Sequence, residues 1–314
     1  MRVLVAGASG AVGIRLIPML AARGHEVTGI TRSPSKADVL RRLGAEPLVV
    51  DALDASALRN AVLNARPEVV VHEMTALGNA SDLRHFNRAF AQTNRLRTEG
   101  LDHLVAAARE SGAKSFVAQS YCGWPFARVG GPVKTEEDPL DSAPPRELRN
   151  SLRAIRHLES VLGNATDLRG VVLRYGSFYG PGSGVFDGSA LGQVRRRLFP
   201  VIGEGGGWWS FLHLDDAAEA TTCAVESRAP GLYNIVDDEP APVREWLPAL
   251  AATIGAKPPR HIPRWLARIL AGEHMVVLMT EARAGSNAKA RRELGWRPAH
   301  ASWRQGFAEV LAQT

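Results

Sequence analysis

The stretch that most constrains this chain is its opening, Met1-Arg-Val-Leu-Val-Ala-Gly-Ala-Ser-Gly-Ala-Val-Gly13. Val3 to Ala6 form an apolar run long enough for a buried strand and too short for a helix. Gly7, Gly10 and Gly13 follow at intervals of three, and Ile14, Leu16, Ile17, Met19 and Leu20 then run at helical spacing towards Gly24. Strand, glycine turn and helix in that order bring free amide N–H groups to a helix start, where they face negative charge. The first glycine permits the tight turn, the second lets backbone approach phosphates, and the third lets helix pack on strand. The spacing is G-x-x-G-x-x-G rather than G-x-G-x-x-G, but a second strand-like run, Glu26 to Ile30, supplies the context of a dinucleotide site. Ser9 joins the three glycines as a pyrophosphate-binding candidate.

The end of the second strand, Thr31-Arg32-Ser33, selects the dinucleotide. An NAD site places Asp or Glu there for the ribose 2′-hydroxyl, whereas Arg accommodates the 2′-phosphate of NADP. Arg32 holds the position, with Lys36 nearby and no acid before Asp38, so NADP is expected over NAD. Asp51 follows the third strand, Leu48 to Val50, and either contacts adenine or caps the helix that begins near Ala55. The fourth strand, Glu68 to His72, carries His72, Glu73, Met74 and Thr75 to its carboxyl end, where ligands of open α/β sheets bind. His72 and Thr75 are therefore cofactor-binding candidates. A fifth strand, Ser115 to Ala118, leads into Ser120 and Tyr121, and a sixth is Val171 to Leu173.

Strands alternating with helices predict parallel βαβ units and an α/β, doubly wound parallel sheet. The helices expected at Asn94–Glu110 and Pro145–Leu162 flank a Gly-, Pro- and acid-rich stretch, Gly123 to Pro145, long enough to act as a lid. The composition shift after Arg174 marks a smaller C-terminal lobe. Residues 1–173, with about 210–236, are assigned to the nucleotide-binding domain, and 174–209 with 237–314 to the substrate lobe. Two cysteines, Cys122 and Cys223, build neither a disulfide framework nor a metal site, which fits a reducing, cytoplasmic setting. No signal peptide is expected in the opening residues, and no apolar run reaches the roughly 20 residues of a membrane span. The net charge of +6 invites nucleic acid, but Arg195-Arg196-Arg197 and Lys289, Arg291 and Arg292 lie on helix-like stretches without interleaved stacking aromatics. They are expected to be solvated faces, leaving a small-molecule substrate as partner and no nucleic acid or membrane.

With these residues in view, the chain resembles the extended short-chain dehydrogenase/reductase superfamily, the NAD(P)-dependent sugar epimerases and dehydratases. The resemblance rests on the Gly7/Gly10/Gly13 turn, Asp51, His72, Asn94, Ser120, Arg174 to Pro181, Phe211 to Asp216 and Leu294-Gly-Trp-Arg-Pro298. It implies a Rossmann domain of strand order 3-2-1-4-5-6 or an extension of it, a C-terminal substrate lobe, and a homodimer built through the two helices named above.

The family's chemistry uses Ser or Thr with a Y-x-x-x-K pair, whose lysine lowers the tyrosine pKa so that the phenol exchanges a proton with the substrate. Aligning on Glu159 puts Ser151 at the tyrosine position and Ile155 at the lysine position, and the sequence contains no Y-x-x-x-K. Ser120 keeps the serine. Tyr121 and Tyr179 are the candidate replacement acids, so Ser120, Tyr121 and Tyr179 form the expected catalytic set. The leading expectation is an NADP(H)-dependent oxidoreductase acting on a carbonyl or alcohol of a small molecule through a non-standard site. A redox-neutral epimerase or dehydratase with retained cofactor, and a non-catalytic NADP-binding sensor or scaffold, are the alternatives.

Overall fold

The computed structural model describes residues 1–77, 85–183 and 188–312. Its centre is a seven-stranded parallel sheet. The strands are β1 (Arg2–Ala6), β2 (Glu26–Thr31), β3 (Ala45–Val49), β4 (Val69–His72), β5 (Ser115–Tyr121), β6 (Arg169–Tyr175) and β7 (Gly231–Ile235). Their order is 3-2-1-4-5-6-7, so the expected order holds with one added edge strand. The order reverses between β1 and β4, and the glycine turn leaves β1 at that switch point.

β1 is apolar throughout because both of its faces are covered. Val3 and Val5 join one core with Leu16, Ile17 and Leu20 of helix α1 (Gly13–Ala22). Leu4 and Ala6 join the other, with Leu58 and Val62 of a second helix and Leu101 and Leu104 of a third. Five further helices matter for the site: α2 (Ala37–Leu43), α3 (Ala55–Ala65), α4 (Leu101–Glu110), α5 (Arg149–Gly163) and α6 (Leu214–Glu226). α1 packs on α6 at one face of the sheet, and α3 packs on α4 at the other.

Two features depart from the sequence reading. A single π-helical turn, Leu96–Gly100, precedes α4 and inserts one extra residue into the expected helix. The stretch 123–145 is anchored along its length rather than standing clear as a lid. Val133–Lys134 pairs with Ala284–Gly285, and Arg128 reaches Asp141 (2.9 Å) and Glu281 (2.8 Å). A third apolar core, containing Tyr179, Phe211, Trp246, Trp303 and Phe307, lies in the C-terminal part of the chain. Trp209 packs there, 4.9 Å from Trp246 between ring centroids. The Phe211–Asp216 segment ties this core to α6. His213 accepts the Asp215 amide at the helix start (3.2 Å), and Asp216 accepts the amides of Ala299 and His300 (2.8 and 2.9 Å).

Candidate nucleotide and substrate site

Gly7 leaves β1 at φ +92°, and a Cβ there would stand 2.5 Å from the Glu73 carbonyl oxygen. A Cβ on Gly13 would stand 2.5 Å from the Ala8 carbonyl oxygen. These two glycines are required by backbone crossing backbone. Gly10 is exposed, and its absent side chain leaves the outer side of the turn open. Among the described residues no acceptor takes the amides of Ala11 and Val12, and the start of α1 has neither a side-chain cap nor an acidic residue in its first turn. A helix start with open amides and bare glycine suits a diphosphate, so the residues present fit the dinucleotide.

The Ser9 and Thr31 hydroxyls lie 3.0 Å apart, tying the glycine turn to the end of β2. Arg32 follows, exposed, with no hydrogen bond or ion pair to its guanidinium among the described residues. Asp51 is exposed and accepts the Leu53 amide (3.0 Å). It does not cap α3: Asp54 does, accepting the amides of Ser56 and Ala57 (3.1 and 3.0 Å). Thr75 is half-buried just beyond β4.

His72 is corrected to an interior residue. Its ring is 0% exposed, its Nε2 lies 3.0 Å from the Leu96 carbonyl, and burial pushes its pKa down to about 4. A neutral ring with no open surface offers nothing to a nucleotide. Glu73 beside it is also buried. Tyr175 donates to Glu73 Oε1 (2.8 Å), Oε2 has no partner, and burial pushes the carboxyl up to about 8.

The expected catalytic set is not brought together. β5 runs through Tyr121, three residues beyond its expected end, so strand alternation decides where Ser120 points. Ser120, 2% exposed, donates to Glu159 Oε1 of α5 (2.8 Å). The same carboxylate takes a two-bond fork from Arg174 (2.8 and 2.7 Å). The Ser120 proton is therefore committed inside the fold. Tyr179, 1% exposed, lies in the C-terminal core, edge-on to His213 and Phe307, and burial pushes its phenol far up. It is corrected to a packing residue. Of the three, Tyr121 alone is half-buried rather than buried, with its hydroxyl 3.0 Å from that of Ser177. Burial raises its pKa, against the hydrogen bond to Ser177 and a weaker pull from Arg97. At the two vacated family positions, Ser151 is buried with an unpartnered hydroxyl and Ile155 is packed at 1% exposure.

Sequence reasoning missed Arg97 and the aromatic group beside Tyr121. Trp124 lies 6.4 Å from the Tyr121 ring and stands edge-on to Phe86 at 6.0 Å, and Phe86 stacks on Phe90 at 4.1 Å. The signal for Arg97 was present: a charge sitting on the stripe of Leu101, Leu104, Val105 and Ala108. The π turn brings both Leu96 and Arg97 inside, at 4% and 6% exposure.

A family model described as "NAD dependent epimerase/dehydratase family" matches residues 3–236. The chain belongs to that family. Within it, the chain is 48% identical over 309 residues to a Streptomyces protein named 3-diazoavenalumate denitrifying reductase, covering 98% of this chain and 99% of that one. A Stigmatella aurantiaca ketoreductase of a farnesyl-dihydroquinoline-oxide is 26% identical, covering 94% and 92%. Among solved structures, the UDP-glucose 4-epimerase of Thermus thermophilus with NAD superposes at a TM-score of 0.75, with 25% identity and 99% and 98% coverage. The human epimerase family protein SDR39U1 with NADPH superposes at 0.77, with 21% identity and full coverage of both chains. The chain is thus an NAD(P)-dependent oxidoreductase of the epimerase/dehydratase family, built on a Rossmann-like fold.

Proposed function

We propose that this protein is an NADPH-dependent reductase that removes a diazo group from a small aromatic carboxylate. Gly7, Ser9, Gly10 and Gly13 hold the pyrophosphate, Arg32 holds the 2′-phosphate, and Thr75 and Asp51 flank the nucleotide. When bound, the dinucleotide supplies a hydride, which replaces dinitrogen at a diazonium carbon with no proton added. The observation that carries this reading is the dismantled acid pair, with Ser151 and Ile155 at the Tyr and Lys positions and the Ser120 proton given to Glu159. A ketone reductase needs a proton donor at the new alkoxide, whereas loss of dinitrogen needs none. The activity named for the 48%-identical relative supports that electrophile, and Phe86, Trp124 and Tyr121 offer flat apolar surface for an aromatic ring.

The partial exposure of Tyr121 at the end of β5 favours one second reading, a carbonyl reductase in which Tyr121 is the acid. Incubating the protein with NADPH deuterated at C4 and a diazotised aryl carboxylate separates them. The proposal predicts one deuterium on the former diazo carbon and release of dinitrogen. Consumption of NADPH only with ketones, lost on Tyr121→Phe, would replace it with the second reading.

The homodimer is part of the same proposal. A groove of about 730 Å³ between residues 91–98 and α5, lined by Asn94, Thr98, Asn150, Arg153 and His157, runs along the helices that the resemblance assigns to pairing. Among the described residues no helix is long and apolar enough to cross a membrane. With both thiols unpaired and raised by burial, Cys122 to about 12 and Cys223 to about 11, we place the protein in the reducing cytoplasm.

A further inference from the structure

Arg97 is a buried cation without a counter-ion. Its guanidinium makes no hydrogen bond or ion pair with any described residue, and its Nε is fully enclosed and unpartnered. Burying a charge in this state is unfavourable, and native structures pair such groups or use them. The carboxylate whose field it feels is Glu159, and both oxygens of Glu159 are already taken by Arg174 and Ser120. Its chain neighbour Leu96 meets the His72 ring with its carbonyl at 3.0 Å, so Arg97 lies at the carboxyl end of β4, and its charge is felt at Tyr121 at the end of β5. That is the end of the sheet where ligands of this fold bind. The π turn that directs Arg97 inward is a device often found at functional sites.

We infer that Arg97 is the substrate's anion anchor, receiving a carboxylate on its guanidinium fork while the attached ring lies against the Tyr121–Trp124–Phe86 group. The anchor deepens the reductase reading by naming the group that holds the substrate. Arginine suits the task because its planar fork matches two carboxylate oxygens, which a lysine ammonium does not. The carboxylate supplies the acceptors that the guanidinium lacks, and the aromatic rings exclude water from the pair.

Cinnamate, an aromatic acid with no diazo group, tests the anchor apart from the chemistry. Its binding to the NADPH-loaded protein is compared with that of neutral cinnamamide by calorimetry, for wild type, Arg97→Gln and Arg97→Lys. The anchor predicts that wild type prefers cinnamate by about tenfold or more. Arg97→Gln loses that preference, Arg97→Lys keeps part of it, and NADPH affinity stays the same in all three. Equal binding of acid and amide by wild type, or an unchanged preference in Arg97→Gln, would overturn it. Cinnamate selectivity without turnover of any diazo compound would sink the reductase reading and leave the anchor standing.

Discussion

Replacing Glu159 with alanine isolates the cluster that removes Ser120 from the site. The carboxylate holds Arg174 through two bonds of 2.8 and 2.7 Å and Ser120 through one of 2.8 Å. The Arg174 side chain is only 4% exposed, lies over the Phe126 ring at 5.1 Å, and already has one unpartnered nitrogen, Nη1. Glu159→Ala therefore strands a guanidinium that cannot swing into water. Removing one partner of a buried pair costs about 3–5 kcal/mol, largely because the other charge is left uncompensated. Arg174→Met in the same chain removes the stranded charge and fills its volume, so the double variant is more stable than Glu159→Ala alone. Urea unfolding followed by far-UV circular dichroism gives each stability from its midpoint and slope. The four proteins form a cycle whose coupling should reach about 2 kcal/mol. A loss below about 1 kcal/mol for Glu159→Ala, or additive singles, would refute the buried-pair reasoning.

Other outcomes follow from the same geometry. Ser120→Ala should lose about 1 kcal/mol of stability, the worth of one hydrogen bond, while turnover stays within a few-fold of wild type. A fall of a hundredfold or more would restore Ser120 to the reacting centre. Arg32→Asp should weaken NADPH roughly ten- to hundredfold by removing a charge-assisted contact, with NADH gaining relative to it, as read by fluorescence titration. Glu73 is held protonated, its pKa raised from 4.5 to about 8 by burial. Between those values the folded state binds more protons than the unfolded one, so this group's contribution to stability falls as pH rises from 4.5 and levels off above about 8. Glu73→Gln should remove that slope and melt higher than wild type at pH 8, and an unchanged pH profile would show that Glu73 ionises freely.

The nucleotide half of the molecule was legible because its signals are local. The Gly7 and Gly13 requirements come from backbone contacts within the first turn and with β4, and the β1 pattern reports cover on both faces. The edge strand β7 begins on Gly231 and carries Asn234 next to its last residue, which broke its apolar run and hid it as a separate strand. The catalytic half was less legible because side-chain direction there is set by register. Three more residues of strand in β5 placed Ser120 under α5, and the short strand Ser177–Tyr179 carried Tyr179 into the C-terminal core. Arg97 stands at helical spacing from Leu101, Leu104, Val105 and Ala108, but a periodicity of 3.6 does not foresee the π turn that buries Leu96 and Arg97 together.

The account stands on a dinucleotide seated at the opening turn, and calorimetric titration of NADPH tests that most directly. Wild type should bind one NADPH per chain. Gly13→Ala, whose new methyl would lie 2.5 Å from the Ala8 carbonyl oxygen, should bind at least about fivefold more weakly, the consequence of a 1–3 kcal/mol displacement of the turn. No heat of binding from wild type, or equal affinity in the Gly13→Ala protein, would contradict it.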